Sequence, residues 1–235
     1  MKKNLLLIFA VATLFSLTGG ISAQNKKPVP REVRGGIGRT SAAPSSTQTD
    51  FLGGFDANIY KNKFFGVKIT VPEKWVIHES EVNKAIKQRG SEVIKGKTEE
   101  VDKALEASAQ RVTLLFTTSK DIFGMENNAI MVFAVEKGPG LTHFRNGDDY
   151  LRMNLQSLKK LDLPPDFKYS EKINSEKLGN ETFYYLDMQR NGFRQRGYAT
   201  ARKGYALFFT LSFVTDEDLE MMKDIIRNSD FSWKE

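Results

Sequence analysis

The sequence contains no cysteine and only two histidines, His78 and His143. Without cysteine there is no disulfide, no thiol nucleophile, no thiolate metal ligand and no lipid-bearing cysteine of a bacterial lipoprotein. Neither histidine belongs to an H-x-x-x-H spacing, and no G-x-S-x-G nucleophile motif is present. These absences predict a protein that is not an enzyme and that has no metal and no cofactor.

The surroundings of the two histidines favour structural roles for both. His78 starts the sequence His78-Glu79-Ser80-Glu81, which we interpret as a solvated strand end rather than a set of metal ligands. His143 comes shortly before two aspartates that are accounted for by the N-terminus of a predicted helix.

Long apolar runs are also scarce, and the one present lies at residues 5–17. Lys2 and Lys3 precede this run, and small residues follow it up to Ala23. That order is typical of an export signal, and the run is shorter than the roughly 20 residues of a membrane span. We therefore predict a signal peptide over residues 1–23, a periplasmic or secreted product, and no transmembrane anchor after cleavage.

Residues 24–54 have few large apolar side chains and are rich in Pro, Gly, Ser, Thr and Ala. They predict a flexible basic linker, followed by one domain over residues 55–235. Of the net charge of +6, the signal peptide carries +2 and residues 24–50 carry +3, which leaves +1 for the rest. A nearly neutral domain does not favour nucleic-acid binding.

The rest of the chain shows the patterns of both strands and helices. Phe65, Val67, Ile69 and Val71 alternate with small or polar residues, which predicts a strand that ends at Pro72. Further strands are predicted over residues 76–77, 111–117, 129–135, 181–190, 193–202 and 205–214. Helices are predicted in pieces over 79–110, with Thr98 as a cap before Glu99. Two more are predicted, one from a cap at Asn146 to about Leu163 and one after a cap at Thr215.

The pattern Tyr60-x-Asn62-x-x-x-Gly66-x-x-Ile69-x-x-Pro72-x-x-Trp75 resembles the opening of the PsbP-like domain family. The end of the chain is similar as well, with a hairpin, a helix and then Asn228-Ser229-Asp230-Phe231. The resemblance covers residues 57–233 and is to exported bacterial members of the DcrB and LpqN type. It implies an α+β fold, an α/β/α sandwich with a mostly antiparallel sheet, and a tendency to bind proteins rather than to catalyse reactions.

The clearest candidate surface lies on the hairpin that turns at Asn191-Gly192, a two-residue turn signal. Such a turn places Asp187 opposite Arg196 and Tyr185 opposite Tyr198, on a face rich in aromatic residues. The other face carries small residues suited to a closely packed helix, namely Gly197, Ala199, Ala201 and Ala206. We predict partner binding by Tyr185, Asp187, Arg194, Arg196 and Tyr198; the alternative is an ordinary Asp187–Arg196 ion pair beneath a second helix layer.

Three functions are compatible with these patterns. The first is an exported, non-enzymatic domain that binds a protein partner in the cell envelope during assembly or trafficking. The second is a carrier of a small apolar or lipidic ligand, held between the aromatic face and its covering helices. The third is a hydrolase whose site has no recognisable motif. The sequence leaves the oligomeric state open.

Overall fold

The computed structural model describes residues 50–78, 96–122, 125, 127–138 and 143–234. The predicted signal peptide, the predicted linker up to residue 49, and the helical pieces predicted over 79–95 lie outside these residues. The elements are, in chain order, β1 (Gly54–Asp56), β2 (Ile59–Asn62), β3 (Val67–Thr70), β4 (Val76–His78), α1 (Glu99–Ala109), β5 (Val112–Ser119), β6 (Ile130–Lys137), α2 (Gly147–Leu158), β7 (Lys168–Tyr169), β8 (Asn174–Leu178), β9 (Glu181–Arg190), β10 (Phe193–Arg202), β11 (Tyr205–Phe213) and α3 (Asp216–Arg227).

An eight-stranded sheet forms the centre of the fold, in the order β4-β5-β6-β11-β10-β9-β7, with β8 also paired to β9. Strands β7 and β8 share one edge of β9, where β7 pairs with its C-terminal part and β8 with its N-terminal part. A separate three-stranded sheet has the order β1-β2-β3. Every pairing among these strands is antiparallel.

Two apolar layers cover the two faces of the large sheet. On one face, Leu105 of α1 and Tyr150, Leu151 and Leu158 of α2 pack against the sheet. On the other face, the buried side of α3 and the small sheet form the second core. The α+β sandwich with a mostly antiparallel sheet is therefore confirmed.

The predicted helix starts are confirmed by their capping hydrogen bonds. The side chains of Thr98, Asn146 and Thr215 each accept a hydrogen bond from the backbone N–H three residues later. The end of α2 differs from the prediction, because the helix stops at Leu158 rather than near Leu163. There the chain tightens into a turn, and the buried Leu161 forms a bridge with Gly96 that continued helix would prevent.

The predicted strand around Ile69 is confirmed, and it belongs to the small sheet. Phe65, Val67, Ile69 and Val71 are all buried, as their alternation predicts. Ordered contacts begin before residue 55, because the ring of Phe51 packs against Phe65 and Tyr205. The remainder of the predicted division into signal peptide, linker and domain stays a prediction.

The small-residue face of the last hairpin packs against α2, as predicted. Ala199 and Ala206 are completely buried, and the first residue of α2 lies directly on this part of the sheet. A β-carbon added to Gly147 would stand 1.9 Å from the carbonyl oxygen of Ala199. Only glycine permits so close an approach of the helix to the strand.

Candidate functional site

The predicted register of the β9–β10 hairpin is confirmed. Asp187 pairs with Arg196, and Tyr185 pairs with Tyr198. The turn residues Asn191 and Gly192 have φ angles of 49° and 81°, the left-handed conformations that a two-residue hairpin turn requires. The next turn, at Lys203-Gly204, has the same geometry, so β11 also lies in the predicted register.

The aromatic face of this hairpin belongs to the core that α3 and the small sheet help to form. Tyr198 and Phe183 are each 0% exposed, and the Tyr198 ring packs edge-on against Phe183. Tyr198 therefore lies in the core and is not available to a partner, which corrects its place in the predicted surface. Tyr185 is half-buried beneath the guanidinium of Arg196, whose carbon lies 4.2 Å from the ring centroid.

Arg196 is held on the covered face by a bidentate ion pair. Its Nε and Nη2 donate to the two carboxylate oxygens of Asp187 over 2.6 and 3.0 Å. The side chain of Arg196 is 17% exposed, whereas that of Asp187 is 44% exposed. Burial lowers the pKa of Arg196, but the hydrogen bonds to Asp187 and Tyr198 outweigh this effect and hold the pKa above its usual value. The predicted alternative, a cross-strand ion pair beneath a helix layer, thus describes Arg196 well.

An ionic chain links this pair to α3. The hydroxyl of Tyr198 donates to Glu176 on β8, and Lys223 of α3 reaches the same carboxylate over 3.1 Å. Burial, together with the hydrogen bond to Glu176, raises the pKa of Tyr198. Because these groups join three elements, a change at Arg196 will alter folding as well as any binding.

Arg194 differs from Arg196 because it stands at the open end of the same face. Its Nη1 donates to Asp216 over 2.7 Å and its Nη2 to the carbonyl oxygen of Val214 over 2.8 Å. The guanidinium lies 4.9 Å from the centroid of the Phe213 ring. Asp216 is 82% exposed, so solvent screens this pair and its net contribution to stability is small.

A groove of about 330 Å³ opens between the end of this hairpin, β7 and the start of α3. We call it the hairpin groove. The groove is lined by the cations Lys168, Arg194 and Arg196 and the carboxylates Asp187 and Asp216. The nearly buried Phe213 and Leu219 form its apolar floor. Of the five predicted site residues, the structure brings Asp187, Arg194 and Arg196 into this groove, with Tyr185 supporting Arg196.

A second and larger groove, of about 680 Å³, runs between residues 72–75 and α3. We call it the Trp75 groove. Exposed Pro72, half-buried Trp75, and Met221 and Ile225 of α3 give it an apolar lining, and Asn58 and Glu73 stand among its polar residues. No local pattern in the sequence indicates that Met221 of α3 lines the same groove as Trp75.

His78 is buried, so its interpretation as a solvated strand end is wrong. Strand β4 pairs with β5, and this pairing brings His78 Nε2 within 2.6 Å of Ser119 Oγ. Burial lowers the pKa of His78. Ser119 is 0% exposed and its hydroxyl donates to the carbonyl oxygen of Asp121, so the pair is closed to a substrate and is structural.

A buried carboxylate on the other face was missed by the sequence reasoning. Glu136 of β6 is 0% exposed and accepts hydrogen bonds of 3.1 Å from Ser108 of α1 and from Tyr150 of α2. Burial raises the pKa of Glu136 to about 8, although nearby Arg111 and the two hydroxyl donors oppose the shift. The signal in the sequence was an acidic residue directly after the apolar run that ends at Val135.

The space predicted for a carried ligand is filled by side chains. On the aromatic face, Phe133 stacks on Phe209, and Phe231 packs edge-on against Phe183 and Phe209. A small pocket on the α2 side of the sheet holds only about 20 Å³, which is room for a water molecule. Ligand pockets usually enclose several hundred cubic ångströms. The packing therefore gives the carrier hypothesis no support at the place where the sequence put it.

Two further properties concern the described part of the chain only. It contains no group of three or more His, Asp or Glu side chains arranged to hold a metal ion. None of its helices is long and apolar enough to cross a bilayer.

Comparison with known proteins gives similarities of fold. No family model and no curated protein matches the chain. Among solved structures, a Bacteroides thetaiotaomicron protein is 10% identical over 70% of this chain and 44% of its own, with a TM-score of 0.39. This chain thus spans less than half of that protein.

Two other solved structures match over more of their own length. Cyanobacterial PsbP from Synechocystis is 11% identical over 82% of this chain and 99% of its own, with a TM-score of 0.40. LpqN, a protein involved in cell envelope biogenesis of Mycobacterium tuberculosis, is 13% identical over 69% and 81%, with a TM-score of 0.36. The solved structures similar to this chain thus include a PsbP and LpqN, in agreement with the resemblance found in the sequence.

Proposed function

We propose that this chain is an exported, non-enzymatic domain that binds a protein partner in the cell envelope through the hairpin groove. The observation that carries the proposal is the arrangement of Arg194 beside the apolar surface of Phe213 and Leu219. An arginine fixed over an aromatic ring, next to a desolvated apolar patch, is the type of group that dominates binding at protein interfaces. The apolar leader at residues 5–17 supports the envelope as the compartment.

The charges of the groove suit recognition better than proton transfer. Arg194 and Arg196 each donate hydrogen bonds to a carboxylate, and the carboxylate in each pair is substantially exposed. A partner can replace Asp216 as the acceptor for Arg194 at little cost, because a solvent-screened pair contributes little. We therefore expect the partner to present a carboxylate to Arg194, whose guanidinium lies over the nearly buried Phe213 ring.

The test is a charge reversal at Arg194 alone. Arg196 is unsuitable because its ion pair is part of the folded core. The matched control is Arg152→Glu, which breaks an exposed ion pair with Asp148 on α2, far from the groove in the fold. Proteins captured from envelope extracts by wild type and by each variant are quantified, and the captured partner is then purified and titrated.

We expect Arg194→Glu to weaken the purified partner's binding by about tenfold or more, as for an interface arginine, while Arg152→Glu binds as wild type does. The thermal midpoint of Arg152→Glu should stay near that of wild type, since it loses only an exposed pair. That of Arg194→Glu should fall by a few degrees at most, since this variant also loses the hydrogen bond to the Val214 carbonyl and the contact with the Phe213 ring. Equal binding by the two variants would remove the hairpin groove from consideration.

A further inference from the structure

The small pocket between α2 and the large sheet combines an apolar lining with two polar side chains. Leu158 and Phe208 are among its apolar lining residues, and Asn154 of α2 and Thr210 of β11 contribute the amide and the hydroxyl. Gly197 of β10 lines the pocket as well and pairs directly with Thr210. Because glycine has no side chain, β10 leaves the space beside the threonine unfilled.

Two buried oxygen atoms of these lining residues have no hydrogen-bond partner within the described part of the chain. They are Asn154 Oδ1 and Thr210 Oγ1. Asn154 is 5% exposed and Thr210 is 0% exposed, so bulk solvent does not reach them. Leaving a buried polar atom unpaired typically costs more free energy than immobilising one water molecule. The two oxygens therefore favour a polar occupant over an empty or apolar pocket.

The orientation of the Asn154 amide is set by Tyr150, one helical turn earlier in α2. Burial raises the pKa of Tyr150 well above its usual value, and a hydrogen bond donated by the Asn154 side chain opposes this rise. Only the amide nitrogen of asparagine can donate, so Oδ1 is the atom left for the pocket. The Tyr150 hydroxyl in turn donates to Glu136 of β6 over 3.1 Å.

We propose that this pocket binds one ordered water molecule, which bridges Asn154 Oδ1 and Thr210 Oγ1. The water donates to the amide oxygen, which can only accept, and accepts from the threonine hydroxyl. The volume of about 20 Å³ exceeds the roughly 10–15 Å³ that one water requires, and it is far too small for an organic ligand. The bridge completes a hydrogen-bonded chain from β11 through α2 to the buried carboxyl of Glu136.

Magnetic relaxation dispersion of the solvent nuclei tests the site directly, because it counts water molecules held inside a protein. Thr210→Val keeps the shape of the side chain and removes its hydroxyl. The control Thr182→Val makes the same change at an exposed threonine. We expect Thr210→Val to lose the signal of one long-lived water, while Thr182→Val keeps the wild-type count. An unchanged count in Thr210→Val overturns the proposal.

A double-mutant cycle on thermal stability gives a second measurement. In the wild-type background, Thr210→Val leaves Asn154 Oδ1 without its bridge, so the melting temperature should fall by about 2–4 °C. In the Asn154→Leu background no amide oxygen needs the water, and the same change should shift the melting temperature by under about 1 °C. Equal falls in the two backgrounds overturn the proposal. So does coupling without the loss of a bound water, which a direct hydrogen bond between the two side chains would give.

Discussion

Replacement of the buried Glu136 by glutamine should change the pH dependence of stability. The folded state holds the pKa of Glu136 at about 8, against 4.5 for the unperturbed group, mainly because the carboxyl is buried. The unfolded chain therefore ionises first as the pH rises. Stability from this group is fully present below pH 4.5 and is lost progressively as the pH rises through 8.

The size of the effect follows from the shift. Each pKa unit corresponds to about 1.4 kcal/mol, so the full window from pH 4.5 to 8 amounts to about 5 kcal/mol at most. Glutamine is neutral throughout, and its single oxygen accepts from one of the two hydroxyl groups that donate to the separate oxygens of Glu136. Its NH2 group meets the other hydroxyl, which can rotate to accept a hydrogen bond. We expect Glu136→Gln to match wild type at pH 5 and to be the more stable protein by several kcal/mol at pH 8.5.

The assay is urea unfolding followed by circular dichroism between pH 5 and pH 8.5, with exposed Glu171→Gln as the control. Other groups titrate identically in all three proteins, so the difference between the curves isolates Glu136. If the wild-type and Glu136→Gln curves run parallel, the carboxylate is already ionised in the folded state and its attraction to Arg111 exceeds the cost of burial. That result would refute the reasoning.

Three further outcomes can be measured on the same material. Gly147→Ala should destabilise the protein by about 1–3 kcal/mol, because the new methyl group would stand 1.9 Å from the carbonyl oxygen of Ala199. The control Gly54→Ala, whose methyl group meets nothing within 4 Å, should cost under about 1 kcal/mol. Equal melting temperatures of the two variants would contradict the close packing of α2. Thr215→Ala should lower the free energy of unfolding by about 1 kcal/mol, because it removes the oxygen that accepts a hydrogen bond from Asp218 N–H. The control Thr182→Ala, at an exposed threonine, should leave stability nearly unchanged. Equal losses of stability in the two variants would argue against the cap. Arg196→Ala should lower stability by about 1–2 kcal/mol, because it removes the bidentate hydrogen bonds to Asp187 and the guanidinium that covers Tyr185. The cost stays moderate because the side chain of Asp187 is 44% exposed and water can solvate it. A neutral Arg196→Ala would show that the pair is not structural.

The features that the sequence determined are those governed by neighbouring residues. The caps at Thr98, Asn146 and Thr215 lie where a side-chain oxygen precedes a helical pattern by the required spacing. Asn191-Gly192 fixed the register of β9 and β10, because the left-handed turn determines which residues oppose each other. The alternation around Ile69 identified the buried side of its strand.

Tertiary structure alone decided which layer covers each face and which distant residues meet. Alternation shows that a strand has two different faces, but it contains no information on what packs against them. Only the layer to which α3 and the small sheet belong placed Tyr198 in the core and left Arg194 at a groove. The pairing of His78 with Ser119 depends on the adjacency of β4 and β5, and the environment of Glu136 depends on two helices meeting over β6. Such contacts join residues far apart in the chain, so they arise from the packing of whole elements and leave no local pattern in the sequence.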